Sequence, residues 1–181
     1  MTNYILTGTP GAGKTALLRL LERRGFAVVE EAATDVIAVA EACGQDEHWT
    51  QPTFIDDILD LQRRRQLRAA SWPDPVVIFD RSPVCTWALA RFLGREPTPA
   101  LTQEMQRIAA GGVYDRRVLF VENLGYCNPT HARRITFEDS LTFEAVHAET
   151  YESFGFDLVR IAAAPIEERL AKVIAALGAL A

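Results

Sequence analysis

Residues 8 to 15 read Gly-Thr-Pro-Gly-Ala-Gly-Lys-Thr, a complete G-x-x-x-x-G-K-T phosphate loop that directly follows the apolar run Tyr4-Ile5-Leu6. Small residues let backbone N–H groups approach a polyphosphate closely and curl around it. Lys14 can reach the β- and γ-phosphates, and the Thr15 hydroxyl can bind Mg²⁺. The pattern therefore predicts a nucleoside triphosphate site. Its expected contacts are Gly8, Thr9, Pro10, Gly11, Ala12, Gly13, Lys14, Thr15 and Ala16.

A second chemical pattern follows the apolar run at 76–79, which ends on Asp80 and continues into Arg81 and Ser82. In open α/β sheets, ligands bind beyond the carboxyl ends of the strands. P-loop enzymes place a carboxylate near Mg²⁺ at such a strand end, directly or through water. We therefore expect Asp80 to join Thr15 at the metal, and Arg81 to clamp a phosphate or a substrate carboxylate. Ser82, followed by Pro83, is expected to cap the next helix.

The apolar run at 26–29 ends on the acidic pair Glu30-Glu31. Adjacent residues point in different directions, so only one of these carboxylates can face the cleft. A carboxylate at this place can accept a proton from an attacking hydroxyl. We favour Glu31 as this general base and expect Glu30 to be solvated or paired, while both count as candidate contacts to the acceptor.

Two further polar segments could complete the site. The arginine-rich run at 63–68 lies on a predicted helix, where most of it should be solvated, but Arg64 could enter the cleft with Asp57 and Gln62 to hold polar groups of an acceptor. A polar loop at about 125–137 is the candidate lid, whose arginines could neutralise charge on a transferred phosphoryl group. The expected catalytic residues are Lys14, Glu31, Asp80, Arg81, Arg133 and Arg134.

The elements that must position these residues alternate along the chain, as is typical of a parallel sheet with crossover helices. Strands are predicted at 3–7, 26–29, 76–79, 118–121 and 157–161. Helices are predicted at 14–24, 34–43, 53–70, 83–93, 98–111 and 138–154, with a last one from 165. The expected fold is therefore a three-layer α/β/α domain with a five-stranded parallel sheet.

Composition bounds the interpretation. The chain has 181 residues, 49% of them hydrophobic, which suits one domain spanning 1–181. No apolar stretch approaches the ~20 residues of a membrane helix, and residues 1–8 lead straight into strand and phosphate loop, so we expect a cytoplasmic protein without membrane contact. The net charge of −5 argues against nucleic-acid binding. Three widely spaced cysteines indicate neither a disulfide framework nor a zinc site.

Together, the phosphate loop, the segments Val29-Glu30-Glu31-Ala32 and Phe79-Asp80-Arg81-Ser82, and the late Arg133-Arg134 resemble the nucleotide-kinase branch of P-loop proteins. The chain is similar to the group of AAA-like predicted ATPases and kinases that includes the nicotinamide-riboside kinase domain, and more distantly to deoxynucleoside kinases. That resemblance implies ATP with Mg²⁺ as phosphoryl donor, a mobile lid, and adenine between a lid arginine and the loop at 162–165. It also matches Glu31 to the family's base.

Three functions are consistent with these features. The first is a kinase that transfers phosphoryl from ATP to a hydroxyl of a small molecule, either nucleoside-like or another metabolite. The second is a regulatory NTPase whose nucleotide state signals to a partner. A mechanical ATPase fits less well, because the chain lacks an appended helical domain. The sequence names no acceptor pocket for a particular base or ribose, and it leaves homodimer formation open.

Overall fold

The computed structural model describes residues 1–125 and 135–178. Its strands are β1 (Thr2–Thr7), β2 (Ala27–Val29), β3 (Val76–Asp80), β4 (Arg117–Val121) and β5 (Asp157–Ile161). Its α-helices are α1 (Lys14–Arg23), α2 (Ala32–Ala42), α3 (Phe54–Ala69), α4 (Pro83–Phe92), α5 (Pro99–Gly111), α6 (Phe137–Ser153) and α7 (Ile166–Gly178). A short 3-10 helix at His48–Thr50 was not predicted. Within the described ranges, no helix is both long enough and apolar enough to cross a membrane.

The five strands form one parallel sheet in the order β2-β3-β1-β4-β5, which confirms the predicted fold class. Strand β1 is central and is fully enclosed, with Ile5 and Leu6 at 0% exposure. Parallel sheets of this kind are covered by helices on both faces, which is why their strands are continuous apolar runs. The central position of β1 brings the loop after it to the middle of the sheet's carboxyl edge.

Alternate side chains of β1 enter two separate cores. Tyr4 and Leu6 belong to a cluster with Leu17 of α1 and Leu170 of α7 on one face. Ile5 belongs to a second cluster on the other face, shared with α4, α5 and α6. This separation follows from the two-residue period of a strand. The helices therefore form two layers, and the edge between those layers is left for ligands.

Helix starts agree with the sequence signals. The hydroxyl of Thr98 accepts a hydrogen bond from the N–H of Leu101 at 3.1 Å, as expected for a cap. Ser82 occupies the N-cap position of α4, but its hydroxyl makes no cap bond and lies 2.9 Å from the hydroxyl of Tyr151 on α6. Ser82 is therefore the N-cap residue of α4, as predicted, while its side chain connects α4 to α6.

His147 on α6 is buried at 0% exposure under the phosphate-loop edge of the sheet. Its Nε2 lies 2.9 Å from the hydroxyl of Thr7, and its ring stacks on Tyr151 with 16° between the ring planes. Burial lowers the pKa of His147 well below its usual value, and the positive charges of Arg81 and Lys14 act in the same direction. The native protein therefore holds this imidazole neutral.

We expect acid to destabilise the fold through His147. An unfolded histidine has a pKa near ~6.5, so below that pH the unfolded state binds a proton that the native state excludes. The contribution of His147 to the free energy of unfolding is fully present above about pH 6.5. Below that pH it falls by up to ~1.4 kcal/mol per pH unit. Urea unfolding at pH 7.5 and 5.5 measures this loss, and His147→Gln should show a smaller one. Equal losses in both proteins would contradict the assignment.

Candidate nucleotide and acceptor site

The loop between β1 and α1 has the backbone of a phosphate cradle. Gly8, Gly11 and Gly13 have φ angles of 143°, 86° and 79°, which side-chain-bearing residues rarely adopt. At Gly8 the chain also passes so close to β4 that a Cβ would lie 2.2 Å from the carbonyl oxygen of Val121. Glycine is therefore required at this position by both conformation and space.

Lys14 opens helix α1 and is almost completely enclosed, with 7% of its surface exposed. Its Nζ donates to the carbonyl of Thr9 at 3.3 Å across the loop. Burial, aided by the positive charge of Arg81, lowers the pKa of Lys14 to about 8. A bound polyphosphate would favour the charged ammonium, because an opposite charge at close range raises the pKa of a lysine.

The ends of β2 and β3 lie side by side beside this loop. Val29 pairs with Phe79 in the parallel register, so the residues that follow each strand leave the sheet together. Nε of Arg81 lies 2.6 Å from Oε1 of Glu31, and both side chains are largely buried. Arg81 has a φ of 74°, which is unusual for a residue with a side chain. The backbone N–H of Arg81 donates to the carbonyl of Leu6 at 3.0 Å, which connects this turn to the central strand.

A cavity of about 180 Å³ opens from Lys14 and Thr15 toward helices α2, α3, α4 and α6; we refer to it as the acceptor cavity. Its polar lining includes Lys14, Thr15, Glu31, Gln62, Arg81 and Thr86. Its apolar lining includes Ile37, Phe54, Ile58, Leu89 and Phe143. The cavity therefore has a charged end beside the phosphate loop and an apolar body away from it.

Several predicted site residues meet at this cavity. Lys14, Thr15, Glu31, Gln62 and Arg81 all line it. The amide oxygen of Gln62 accepts a hydrogen bond of 2.8 Å from the hydroxyl of Thr86. Asp80 does not line the cavity; it ends β3 opposite Leu6 and is 6% exposed. That position puts its carboxylate at the strand end next to the phosphate loop.

Three predicted acceptor contacts lie elsewhere, each beside a polar partner of its own. Glu30 points to solvent and pairs with Arg19 on α1. Asp57 lies on another face of α3, where Nε2 of His48 is 2.9 Å from its Oδ2. Arg64 is 75% exposed and pairs with Asp60 one helical turn earlier. The structure therefore does not bring these three residues to the acceptor cavity. Arg133 and Arg134, like most of the predicted lid, lie outside the described residues.

Sequence reasoning missed two side chains on α3 and α6 that support the site. Nη1 of Arg65 donates to the carbonyls of Glu30 and Glu31 at 2.9 and 2.7 Å, and Nη2 pairs with Asp35. This arginine belongs to the run interpreted as mostly solvated, yet only 15% of its side chain is exposed. Arg65 on α3 therefore fixes the backbone at Glu30 and Glu31 after β2, although it lies more than 30 positions later in the chain.

Glu144 on α6 is the other missed residue. Its Oε2 accepts hydrogen bonds from the hydroxyl of Thr9 at 3.3 Å and from the N–H of Asn123 at 2.8 Å. Burial raises the pKa of this carboxyl, while the two hydrogen bonds act against that shift. Glu144 therefore connects the phosphate loop to the chain that follows β4. A helical glutamate among other acids gives no sequence signal for this contact.

These features define the class of protein. A parallel sheet in the order 2-3-1-4-5, with a G-x-x-x-x-G-K-T loop between the central strand and its helix, is a P-loop NTPase fold. A family model described as an AAA domain matches residues 3–169, which is most of the chain. The chain therefore belongs to this AAA-domain family. No curated protein sequence matches it.

Among solved structures, the fold is similar to that of deoxyadenosine kinase from M. mycoides. The structure with the products dCMP and a flexible dCDP matches with a TM-score of 0.64 and 14% identity, covering 99% of this chain and 100% of that one. The dCTP-bound structure gives a TM-score of 0.65 with the same identity and coverage. The dATP-bound structure gives 0.57 and 13% identity over 98% and 100% of the two chains. The similarity establishes a shared fold.

The contact between Gly8 and Val121, together with a φ of 143°, predicts that a side chain costs more at Gly8 than at a left-handed glycine in open space. Gly8→Ala should lower the free energy of unfolding by at least ~2 kcal/mol more than Gly155→Ala. Gly155 also has a positive φ of 81°, but a Cβ there would meet no atom within 4 Å. Denaturant unfolding of the two variants measures the difference, and equal destabilisation would mean that the loop relaxes away from β4.

Arg65 should stabilise the fold through the carbonyls that it satisfies. Arg65→Ala leaves two backbone acceptors and the Asp35 carboxylate without this donor, so we expect a loss of ~1–3 kcal/mol in the free energy of unfolding. Arg68→Ala, an exposed arginine on the same helix, should change it by less than ~0.5 kcal/mol. Urea unfolding compares the two, and similar values would assign Arg65 to the solvated face after all.

Proposed function

We propose that the protein is an ATP-dependent kinase that transfers the γ-phosphoryl group to a hydroxyl of a nucleoside-like or other small metabolite. The observation that carries this proposal is the acceptor cavity, which opens directly on Lys14 and Thr15 and contains Glu31 and Arg81 at the same end. A phosphate loop alone supports nucleotide binding. A second small-molecule cavity that shares its charged end with that loop supports transfer between two substrates.

Glu31 is the residue we assign to the acceptor hydroxyl. Its two oxygens are oriented by different partners, Arg81 at 2.6 Å on Oε1 and the hydroxyl of Thr34 at 3.1 Å on Oε2. Pairing with Arg81 favours the ionised carboxylate, which can accept a hydrogen bond from the attacking hydroxyl. Phosphoryl transfer depends mainly on positioning and on charge stabilisation, so a fixed carboxylate suits this role. The acceptor proton would pass to Glu31 as the bond between the acceptor oxygen and the γ-phosphorus forms and the bond from that phosphorus to the β–γ bridging oxygen breaks, leaving ADP.

The cations on the donor side have complementary roles. Lys14 would contact the β- and γ-phosphates, and Arg81 lies close enough to Lys14 to shift its pKa. Charge that develops on the transferring phosphoryl group is stabilised most where water is excluded, as at these two buried side chains. The lid arginines Arg133 and Arg134 stay proposed contributors from the loop at 125–137.

Magnesium fits the donor atoms that the chain offers. Asp80 supplies a carboxylate that is 6% exposed at the end of β3, and Thr15 supplies a hydroxyl at the start of α1. Hard oxygen donors of this kind, completed by phosphate oxygens and water, are what Mg²⁺ prefers. Among residues 1–125 and 135–178, no group of three or more acidic, histidine or cysteine residues forms a metal site of its own. Asp80 and Thr15 would hold Mg²⁺, and the ion would neutralise part of the phosphate charge.

The solved relatives of this fold support a nucleoside-like acceptor. The M. mycoides deoxyadenosine kinase was solved with deoxynucleotides: dCMP with dCDP, dATP, and dCTP. The apolar walls of the acceptor cavity, including Phe54 and Phe143, suit a planar ring, and Gln62 could hydrogen-bond its edge.

We expect the purified protein to consume ATP with Mg²⁺ much faster when the right acceptor is present. A panel of nucleosides, ribosides and other hydroxylated metabolites tests this, with Lys14→Ala as the blank. Glu31→Gln should slow transfer by roughly 10²–10⁴-fold, because the neutral amide cannot accept the hydroxyl proton. ATP binding should be kept, because the phosphate loop and Lys14 are unchanged. Glu30→Gln, the same change one residue earlier on the solvent side, should leave transfer near wild type. Slow hydrolysis that no compound accelerates would instead favour the regulatory NTPase.

A further inference from the structure

Arg169 on α7 is among the most deeply buried side chains of the protein, with 2% of its surface exposed. Its Nη2 donates to the backbone carbonyl of Ala12, inside the phosphate loop and 157 positions earlier in the chain. Its Nη1 would lie 3.0 Å from a Cβ at Gly13, so the missing side chain of that glycine leaves room for the guanidinium. An arginine from the last helix thus packs directly against the loop.

This contact fixes the orientation of one peptide group in the loop. The described chain contains no cis peptide, and in a trans peptide the C=O and the next N–H point in opposite directions. Because the Ala12 carbonyl points to Arg169, the N–H of Gly13 must point away from it. Backbone N–H groups are what a phosphate loop offers to an anion. By fixing the Ala12 carbonyl, the Arg169 guanidinium therefore also fixes the direction of the Gly13 N–H.

The surroundings make this hydrogen bond hard to replace. Ala12 has 0% exposure and shares an apolar cluster with Leu170 and Val173 of α7. Water has little access to the carbonyl, so loss of the donor would leave a buried acceptor that can be satisfied only if the peptide turns. A turned peptide would move the Gly13 N–H out of the cradle. The guanidinium also places a permanent positive charge close behind the anion site.

We propose that Arg169 is a positioning residue for polyphosphate binding, which sets the direction of the Gly13 N–H through the Ala12 carbonyl. Arg169 does not touch the nucleotide in this proposal; it acts on the loop from the side opposite to the phosphates. The inference rests on the proposed nucleotide site, but it makes a separate claim. It says that the triphosphate group itself, whatever base is attached to it, depends on a residue of the last helix.

Calorimetry measures the binding of two probes, ATP and inorganic tripolyphosphate. Their comparison separates a role toward the triphosphate group from a role toward the base. Arg169→Met removes the charge and the donors at similar length, and both probes should weaken by the same factor, roughly 10- to 100-fold. Arg169→Lys keeps the charge without the planar fork and should recover part of the loss. Lys172→Met removes one positive charge from the exposed side of the same helix, and should leave both affinities within about twofold of wild type.

Each alternative result has a definite meaning. A loss confined to ATP would overturn the proposal, because Arg169 would then serve the base through the loop at 162–165 instead of the phosphates. Unchanged binding of both probes in Arg169→Met would also overturn it. If Arg169→Met does not fold, Arg169→Lys carries the same comparison, and affinities equal to wild type for both probes would reject the role. Failure of the wild-type protein to bind either probe would refute the nucleotide site, which is a different result.

Discussion

The ion pair between Glu31 and Arg81 is the interaction on which the site depends. Lys14 and Arg81 bring two positive charges to one enclosed edge of the sheet, and the charge of Arg81 helps burial to lower the pKa of Lys14. The carboxylates at the ends of β2 and β3, Glu31 and Asp80, offset that repulsion. The resulting balance keeps the cations in place before an anion arrives. Preorganised charge of this kind is most effective where water is excluded.

The second constraint is the number of distant elements that hold one short loop. Strand β4 closes against Gly8, α6 reaches Thr9 through Glu144, and α7 reaches Ala12 through Arg169. Loops on a protein surface are ordinarily variable and mobile. Here consecutive parts of the loop are each tied to a different element that comes more than 100 residues later in the sequence. The conformation of the phosphate loop therefore depends on the whole sheet and on both helical layers.

The strands, the helices and the phosphate loop could be predicted because their signals are local, such as apolar periodicity, caps, and the glycine and lysine spacing at residues 8–15. The sequence alone favours Glu31 over Glu30 for the cleft without deciding between them. Which carboxylate faces the cleft depends on the β2–β3 register and on the left-handed backbone of Arg81. Arg64 and Asp57 were predicted to contact the acceptor but lie outside the acceptor cavity, because helical periodicity alone does not reveal which face of a helix meets a cavity. Arg65 and Arg169 act on backbone carbonyls of remote segments, and an arginine in a sequence carries no mark of such a partner.

The shape of the acceptor cavity bears on the choice between transfer and hydrolysis. A regulatory NTPase needs one well-held water beside the γ-phosphate, whereas this cavity has an apolar body that includes Ile37, Phe54, Ile58 and Phe143. Water against such walls loses hydrogen bonds, so an organic molecule that covers them gains binding energy with its area. The same molecule would exclude water from the region between Glu31 and the phosphate loop. In the proposed transfer reaction the apolar walls would supply affinity and the charged end would select the hydroxyl. Both properties follow from the position of the cavity where β2 and β3 end beside the loop.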